Sequence, residues 1–490
     1  MQHIYGRRCM IFARPQLLLA FAVPLLLAAG CIERPTTIDP VPTFPHAGVV
    51  LKVAVSDPSD RELVRQLGRS WTIRSGGRVE VLDTPWDGSA DVGLVVPAEM
   101  PRWAAARKLA EVPTRITRPV DHPYRWDDVL RDYRERLLDW GGTTYALPVT
   151  GEGMVLAYRK DAFDGKDGRP STLPVTWDGL LETARTLNRQ FGKCLPPVPA
   201  GRDRLAAEIF AAAACYDRPA VGRLTGEVPR EDFFAFQFDP TKGAKGQPRL
   251  TAPAFIHVAN LFHEMASLRI DDASTAEAFR SGRAKVGVIS LTELGAVGPD
   301  AAAALGVAPL PGATFTFDAK GERKDTGQGA LNRVPYLGWG GRVGVVSATS
   351  ANQAAAWDFL ADAGMPEGTA LDLLAAPRWG AGPYRTSQLE TGAQPRWYAY
   401  GLSEAESERL VSALRDNLGQ GIQNYRLHLR TPNQHEITPE LDAELRAVAT
   451  GNRKPDEAMR NANDRWRKVI EKLPADQWEE AARKSLGLRQ

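Results

Sequence analysis

The sequence predicts an α/β protein in two lobes joined by hinge crossings, each lobe a mixed sheet flanked by helices. From residue 49 onward, short runs rich in β-branched residues alternate with helical stretches, the pattern of βαβ units with parallel strands. Within Thr144–Arg189 a strand, a small polar turn and a second strand follow one another directly, a natural step from one lobe to the next. At 490 residues the chain is also long enough for one large two-lobed fold.

The N-terminus comes first. Arg7, Arg8 and Arg14 form a basic region ahead of an apolar run, Leu17–Ala29, of 13 residues. A bilayer-spanning helix needs about 20 residues, so this run is too short to cross comfortably. It ends in Leu27-Ala28-Ala29-Gly30-Cys31, the pattern of a bacterial lipobox, in which small residues admit a peptidase and Cys31 becomes the lipid-modified mature N-terminus. Residues 1–30 are therefore expected to be a lipoprotein signal peptide. Residues 31–47, with four prolines among 32–47 and no helix period, are expected to form a lipid-anchored tether. Such an anchor holds a protein on a membrane without spanning it.

The folded part opens with a strand at Val49–Val55. Ser56-Asp57-Pro58-Ser59-Asp60 follows, and Ser59 or Asp60 can cap a helix from Arg61 to about Arg74, closed by Gly76-Gly77. Val79–Leu82 and Asp91–Val96 read as strands, with a helix near Trp103–Leu109. Ligands of such sheets bind beyond the carboxyl ends of the strands, which points to Asp57, to Trp86 and to residues 97–99. Strands Thr144–Leu147 and Met154–Tyr158 then flank the turn Val149-Thr150-Gly151-Glu152-Gly153. Thr176 caps a helix from Trp177, with Leu180, Leu181, Ala184 and Leu187 on one face. Helices are expected at Leu205–Cys215, Ala254–Leu268, Gln353–Leu360, from Pro439 in a first turn to Thr450, and from Pro455 through Trp466. Val307–Pro311 and Val343–Val346 are the later strands. Crossings near 148–154, 308–312 and 370–380 divide the chain, giving lobe 1 residues 48–150 and 311–375, and lobe 2 residues 151–310 and 376–490.

Composition narrows the function. With 43% hydrophobic and 24% charged residues, wholesale disorder is excluded. Removal of residues 1–30 leaves 58 basic against 59 acidic side chains, a balance that gives no reason to expect a nucleic-acid partner. No nucleophile elbow, P-loop, dinucleotide fingerprint or zincin helix occurs, so no enzyme is expected. Seven scattered histidines form no metal cluster, and no cofactor is expected. Cys9 leaves with the signal and Cys31 carries lipid. Cys194 and Cys215 remain, in an oxidising setting, as one disulfide or as two buried thiols; the disulfide is the expectation.

Three blocks at ordered spacing carry a family resemblance: Tyr145-Ala146-Leu147-Pro148, then Leu156-Ala157-Tyr158-Arg159-Lys160-Asp161-Ala162-Phe163, then Pro174-Val175-Thr176-Trp177-Asp178-Gly179-Leu180. Phe279, Gly282, Ala284 and Val286, and the turn Gly338-Trp339-Gly340-Gly341, extend it over about residues 48–475. The chain resembles the extracellular solute-binding proteins of family 1, lipoprotein receptors of ABC importers. The resemblance implies a type II periplasmic-binding-protein-like fold and a monomer that binds a solute, a carbohydrate above all, between its lobes. It implies ABC permease subunits as partners, a bacterial extracytoplasmic location and no chemistry. An anchored sensor with the same fold is the alternative, and an envelope glycan hydrolase the lesser one. Several sugar-binding members carry a carboxylate where this chain has Glu152, next to Gly151, and a carboxylate accepts two hydroxyls at once. Trp339 and Gly340 let a ligand approach the backbone, Arg378 and Trp379 form a fork beside a ring, and Trp397 is a further loop aromatic. Where many sugar binders place a tryptophan, this chain reads Ser290-Leu291-Thr292, so Thr292 takes that position and other groups must hold the ligand.

Overall fold

A computed structural model describes residues 44–485 except 119–121, 202–203, 218–235, 237, 240–246, 319, 328, 338–340, 367–372, 374–375, 391, 419–425 and 428–429. Cys31, Trp339 and Gly340 lie outside the described residues. Residues 44–490 form one compact unit built on two sheets.

The first lobe begins with β1 (Val50–Val55), α1 (Asp60–Ser75), β2 (Arg78–Leu82) and β3 (Val92–Val95). β1 pairs in parallel with both β2 and β3, with Val53 opposite Val92. Leu51 and Val53 are buried under α1, whose Leu63, Val64, Leu67 and Trp71 recur at helical spacing on its inner face. Gly76 ends α1 in the left-handed region at φ 74°, where a side chain would be strained. The helix start differs from expectation. Ser59 makes no cap; its N–H and hydroxyl both donate to Asp57, which thus shapes the turn from the strand into the helix.

β4 (Ala146–Thr150) belongs to the same sheet, but β10 (Arg342–Val346) lies between it and β3, antiparallel to both. Pro148, which has no N–H to donate, is tolerated because β4 is an edge strand. The chain then crosses through 151–153 into β5 (Met154–Arg159). β5 is the centre of the second sheet, between β6 (Val286–Ser290) and β7 (Leu305–Ala308), antiparallel to each. Its side chains alternate between two cores. Leu156 joins the core of α2 (Trp177–Phe191), α3 (Arg204–Asp217) and α4 (Pro253–Met265), while Val155 and Ala157 join that of α5 (Leu291–Val297) and α7 (Glu404–Leu418). Thr176 caps α2, accepting from the Gly179 N–H at 2.9 Å.

The return to the first lobe is later than expected. After β7 the chain keeps to the second lobe through the hairpin β8 (Phe315–Phe317) and β9 (Arg323–Asp325): Ala313, Phe315 and Val334 belong to the α2–α4 core. Trp177 N–H donates to Gly312 O, and Ala313 and Asn332 exchange backbone bonds. Residues 313–334 therefore pack in the second lobe, where a crossing at 308–312 would have put them in the first. After α6 (Gln353–Ala363), Ala381 and Tyr384 still belong to the first-lobe core and Leu389 to the second. The tail is also redivided. α8 (Gln434–Ala449) and α9 (Pro455–Glu471) pack on α4, whereas α10 (Ala475–Ser485) puts Trp478 into the second-lobe core and Ala481 into the first. Pro439 lies inside α8 rather than in its first turn.

Cys194 and Cys215 are free and buried, which corrects the expected disulfide. Cys194 Sγ donates to Ala184 O at 3.3 Å and Cys215 Sγ to Ala211 O at 3.4 Å. Burial pushes the Cys194 thiol up to about 12 and the Cys215 thiol up to about 11.

Candidate functional site

At the carboxyl end of β1 the two lobes enclose a cavity of about 440 Å³, within the usual range of small-molecule sites. The first lobe supplies the turn after β1. Arg342, entering β10, donates Nε to Asp60 at 2.5 Å and Nη2 to Asp57 at 3.2 Å. Burial raises the Asp57 carboxyl, but the bonds from Ser59 and the Arg342 guanidinium outweigh it and hold it below its ordinary value. Burial dominates at Asp60 and pushes that carboxyl up, with Arg342 opposing.

The crossing supplies the back of the cavity. Gly151 and Gly382 exchange backbone bonds of 2.9 and 3.2 Å, so two of the crossings run side by side as a short ladder. The approach demands glycine at both positions: a β-carbon on Gly151 would fall 2.2 Å from Pro383 O, and one on Gly382 would fall 2.3 Å from the Glu152 carbonyl carbon. Glu152 N–H donates to Tyr133 Oη at 3.2 Å. Gly380, at φ +53°, lies against Thr292: a β-carbon there would fall 2.2 Å from the Thr292 Cα. The Arg378 guanidinium lies 4.7 Å from the Trp379 ring centroid and donates to Gln66 Oε1 at 2.7 Å.

The second lobe supplies the floor. Arg204, Ala207, Ala211 and Cys215 share one face of α3 and all line the cavity. Arg204 reaches Glu208 at 3.3 Å and Glu293 at 3.4 Å. Glu293 accepts from the Ser290 N–H and hydroxyl, both at 2.8 Å, in the capping box that starts α5. Burial raises the Glu293 carboxyl, but Arg204, Ser290 and Thr275 together hold it below its ordinary value. Arg333 donates Nε to Leu310 O at 2.8 Å, and Asn417 ties Met154 O to the Leu310 N–H.

Six of the residues singled out in the sequence, Asp57, Gly151, Glu152, Thr292, Arg378 and Trp379, line this one cavity. Two do not. Trp86 is 2% exposed, edge-on to Trp103 at 5.3 Å, with its N–H on Ala90 O. It fills the hole above Gly93, whose β-carbon would fall 2.4 Å from the ring. Trp397 is fully buried against Tyr400 in the second-lobe core. Both are packing residues, not cleft platforms. Arg204, Glu293, Arg333, Arg342 and Asn417 were missed in the sequence. Arg342 could be found only by knowing that β10 runs antiparallel to β3, which puts its first residue beside the last turn of β1. Among the described residues no cluster of His, Cys, Asp and Glu could hold a metal ion.

Residues 86–369 match the family described as bacterial extracellular solute-binding protein. No curated protein matches the sequence. Among solved structures, the chain is similar to a solute-binding protein of an ABC transporter from Agrobacterium radiobacter K84 in complex with ribitol. That match has 16% identity and a TM-score of 0.63, over 88% of this chain and 100% of the other. The GacH receptor of Streptomyces glaucescens GLA.O, described unliganded and with acarbose, matches at 16% identity and a TM-score of 0.58, over 87% and 99%. An ABC transporter solute-binding protein from Agrobacterium vitis S4 with bound D-mannitol matches at 18% identity and a TM-score of 0.58, over 86% and 99%. At these identities the structures show the shared fold, that of type II periplasmic binding proteins.

Proposed function

Because the chain belongs to the bacterial extracellular solute-binding protein family, whose members are binding proteins located outside the cytoplasm, we propose that it is the receptor of an ABC importer for a sugar or polyol. The solute enters the cavity between the lobes, and the closed form is presented to the permease. One observation carries this reading: the cavity of about 440 Å³ is walled by polar groups from both lobes and from the crossing that joins them. A ligand that touches both lobes favours closure, because only the closed state satisfies both sets of contacts. Glu152 would accept hydroxyls, and Trp379 would offer a ring to the apolar face of a sugar. The structural neighbours named with ribitol, D-mannitol and acarbose support this ligand class. In the same reading Cys31 carries the lipid, the protein works as a monomer, and no described helix is long and apolar enough to cross a membrane.

Calorimetric titration with neutral and acidic monosaccharides, polyols and maltodextrins tests the proposal, with saturable binding to at least one of them expected. Glu152→Ala is expected to abolish that binding while leaving the circular-dichroism melt in place. A protein that binds none of these solutes, or a variant that binds as the parent does, removes respectively the receptor reading or the role of Glu152.

A further inference from the structure

We propose that the solute is an acidic saccharide, whose carboxylate or phosphate lies against Arg333 and Arg378; this rests on the receptor reading above. Among the described residues four arginines line the cavity, and they are not equally engaged. Arg342 is held by Asp57 and Asp60, and Arg204 by Glu208 and Glu293. Arg333 donates Nε to the neutral carbonyl of Leu310, and its nearest carboxylate, Asp416, is 4.0 Å away with its own side chain 39% exposed. Arg378 donates to the neutral amide of Gln66 and leans on the Trp379 ring. Neither guanidinium has a carboxylate within hydrogen-bond distance among the described residues.

Two further donors of the cavity wall, Arg204 Nε and the Trp379 indole N–H, are buried with no acceptor among the described residues. Asp57 and Glu293 are already committed to Ser59, Arg342, Ser290 and Arg204. Burial also depresses the Arg333 pKa, so its charged form is short of solvation and an anion beside it restores what water no longer provides. A guanidinium fork matches the planar carboxylate and the phosphate oxygens alike, and charge-assisted bonds of this kind exceed those to neutral hydroxyls. Ala207 and Ala211 give α3 an apolar strip along the cavity wall. Arg204 and Cys215, which bound it, are about 16 Å apart along the helix axis at ~1.5 Å per residue. A sugar ring laid on that strip keeps its polar edge for the arginines.

The test is titration of the full-length protein in detergent with matched pairs: D-galacturonate against D-galactose, D-gluconate against D-glucitol, and glucose 6-phosphate against glucose. The acidic member of at least one pair is expected to bind about tenfold or more tightly than its neutral partner. The carboxylate and phosphate arms tell the two anion sources apart. Arg333→Gln and, at an exposed position that will not compromise folding, Arg378→Gln are expected to bring the acidic ligand down to the neutral one's affinity. If neutral sugars bind as tightly as acidic ones, or both variants bind the acid as the parent does, this inference falls and the receptor reading stands. If no member of any pair binds, this inference falls, and the receptor reading stands or falls on the other polyols and the maltodextrins titrated above.

Discussion

Glu293 shows how much one side chain does in this cleft. It closes the capping box of α5, holds Arg204 in the cavity wall and lies partly buried between them. Its folded pKa is below its ordinary 4.5, so its contribution to stability is fully present above that value. That contribution is lost as the pH falls through the lower, folded value. In urea unfolding, Glu293→Gln should therefore be less stable than the parent at pH 7, and the gap should close as the pH drops below about 4.5. An unchanged gap at pH 3 would contradict the assignment. Glu293 also marks what sequence reading reaches at this scale. Asp57 and Glu152 were legible because a carboxylate at a strand end or in a crossing turn has few places to go. Trp86 and Trp397 misled because a loop tryptophan can point inward, and Trp86 covers a glycine 7 residues away that no pattern marks as a hole. Arg204 gave no signal in sequence: it opens an alanine-rich helix whose cleft-facing stripe looks like ordinary packing.

At the scale of elements, the ladder between residues 151 and 382 is the joint of the molecule. Two glycines let two crossings touch, and the Glu152 N–H is held by Tyr133 beside them. Gly382→Ala would drive a methyl into the Glu152 backbone, and a clash of this kind costs roughly 1–3 kcal/mol. The expected result is a lower melting temperature together with weaker solute binding; a variant with the parent's melt and affinity would show that the contact yields freely. The strands and helices that form this joint were legible from periodicity and turn chemistry, because β4, β5 and α2 announce themselves locally. The hairpin 315–325 did not, since its place is decided by Trp177, Tyr216 and His257, all far away in sequence. Pro439 misled for a related reason: a proline at a helix start is the common case, and here packing of Ile437, Leu441 and Leu445 carries α8 through it.

For the whole molecule, closing around a solute is expected to shrink it. Small-angle scattering with and without saturating ligand should show a smaller radius of gyration when bound, and an unchanged radius would argue against hinge closure. The sheet order carries a different consequence, for the way the chain is made. β4 ends at residue 150, but its only neighbour in the sheet among the described residues, β10, begins at residue 342. At about 5–20 residues per second, a ribosome needs roughly 10–40 s to produce the strand that completes the first sheet. Until then the nascent chain holds an unfinished edge, and the first half cannot lock shut on its own. A keystone strand delivered late leaves that first half open for as long as the chain is being made.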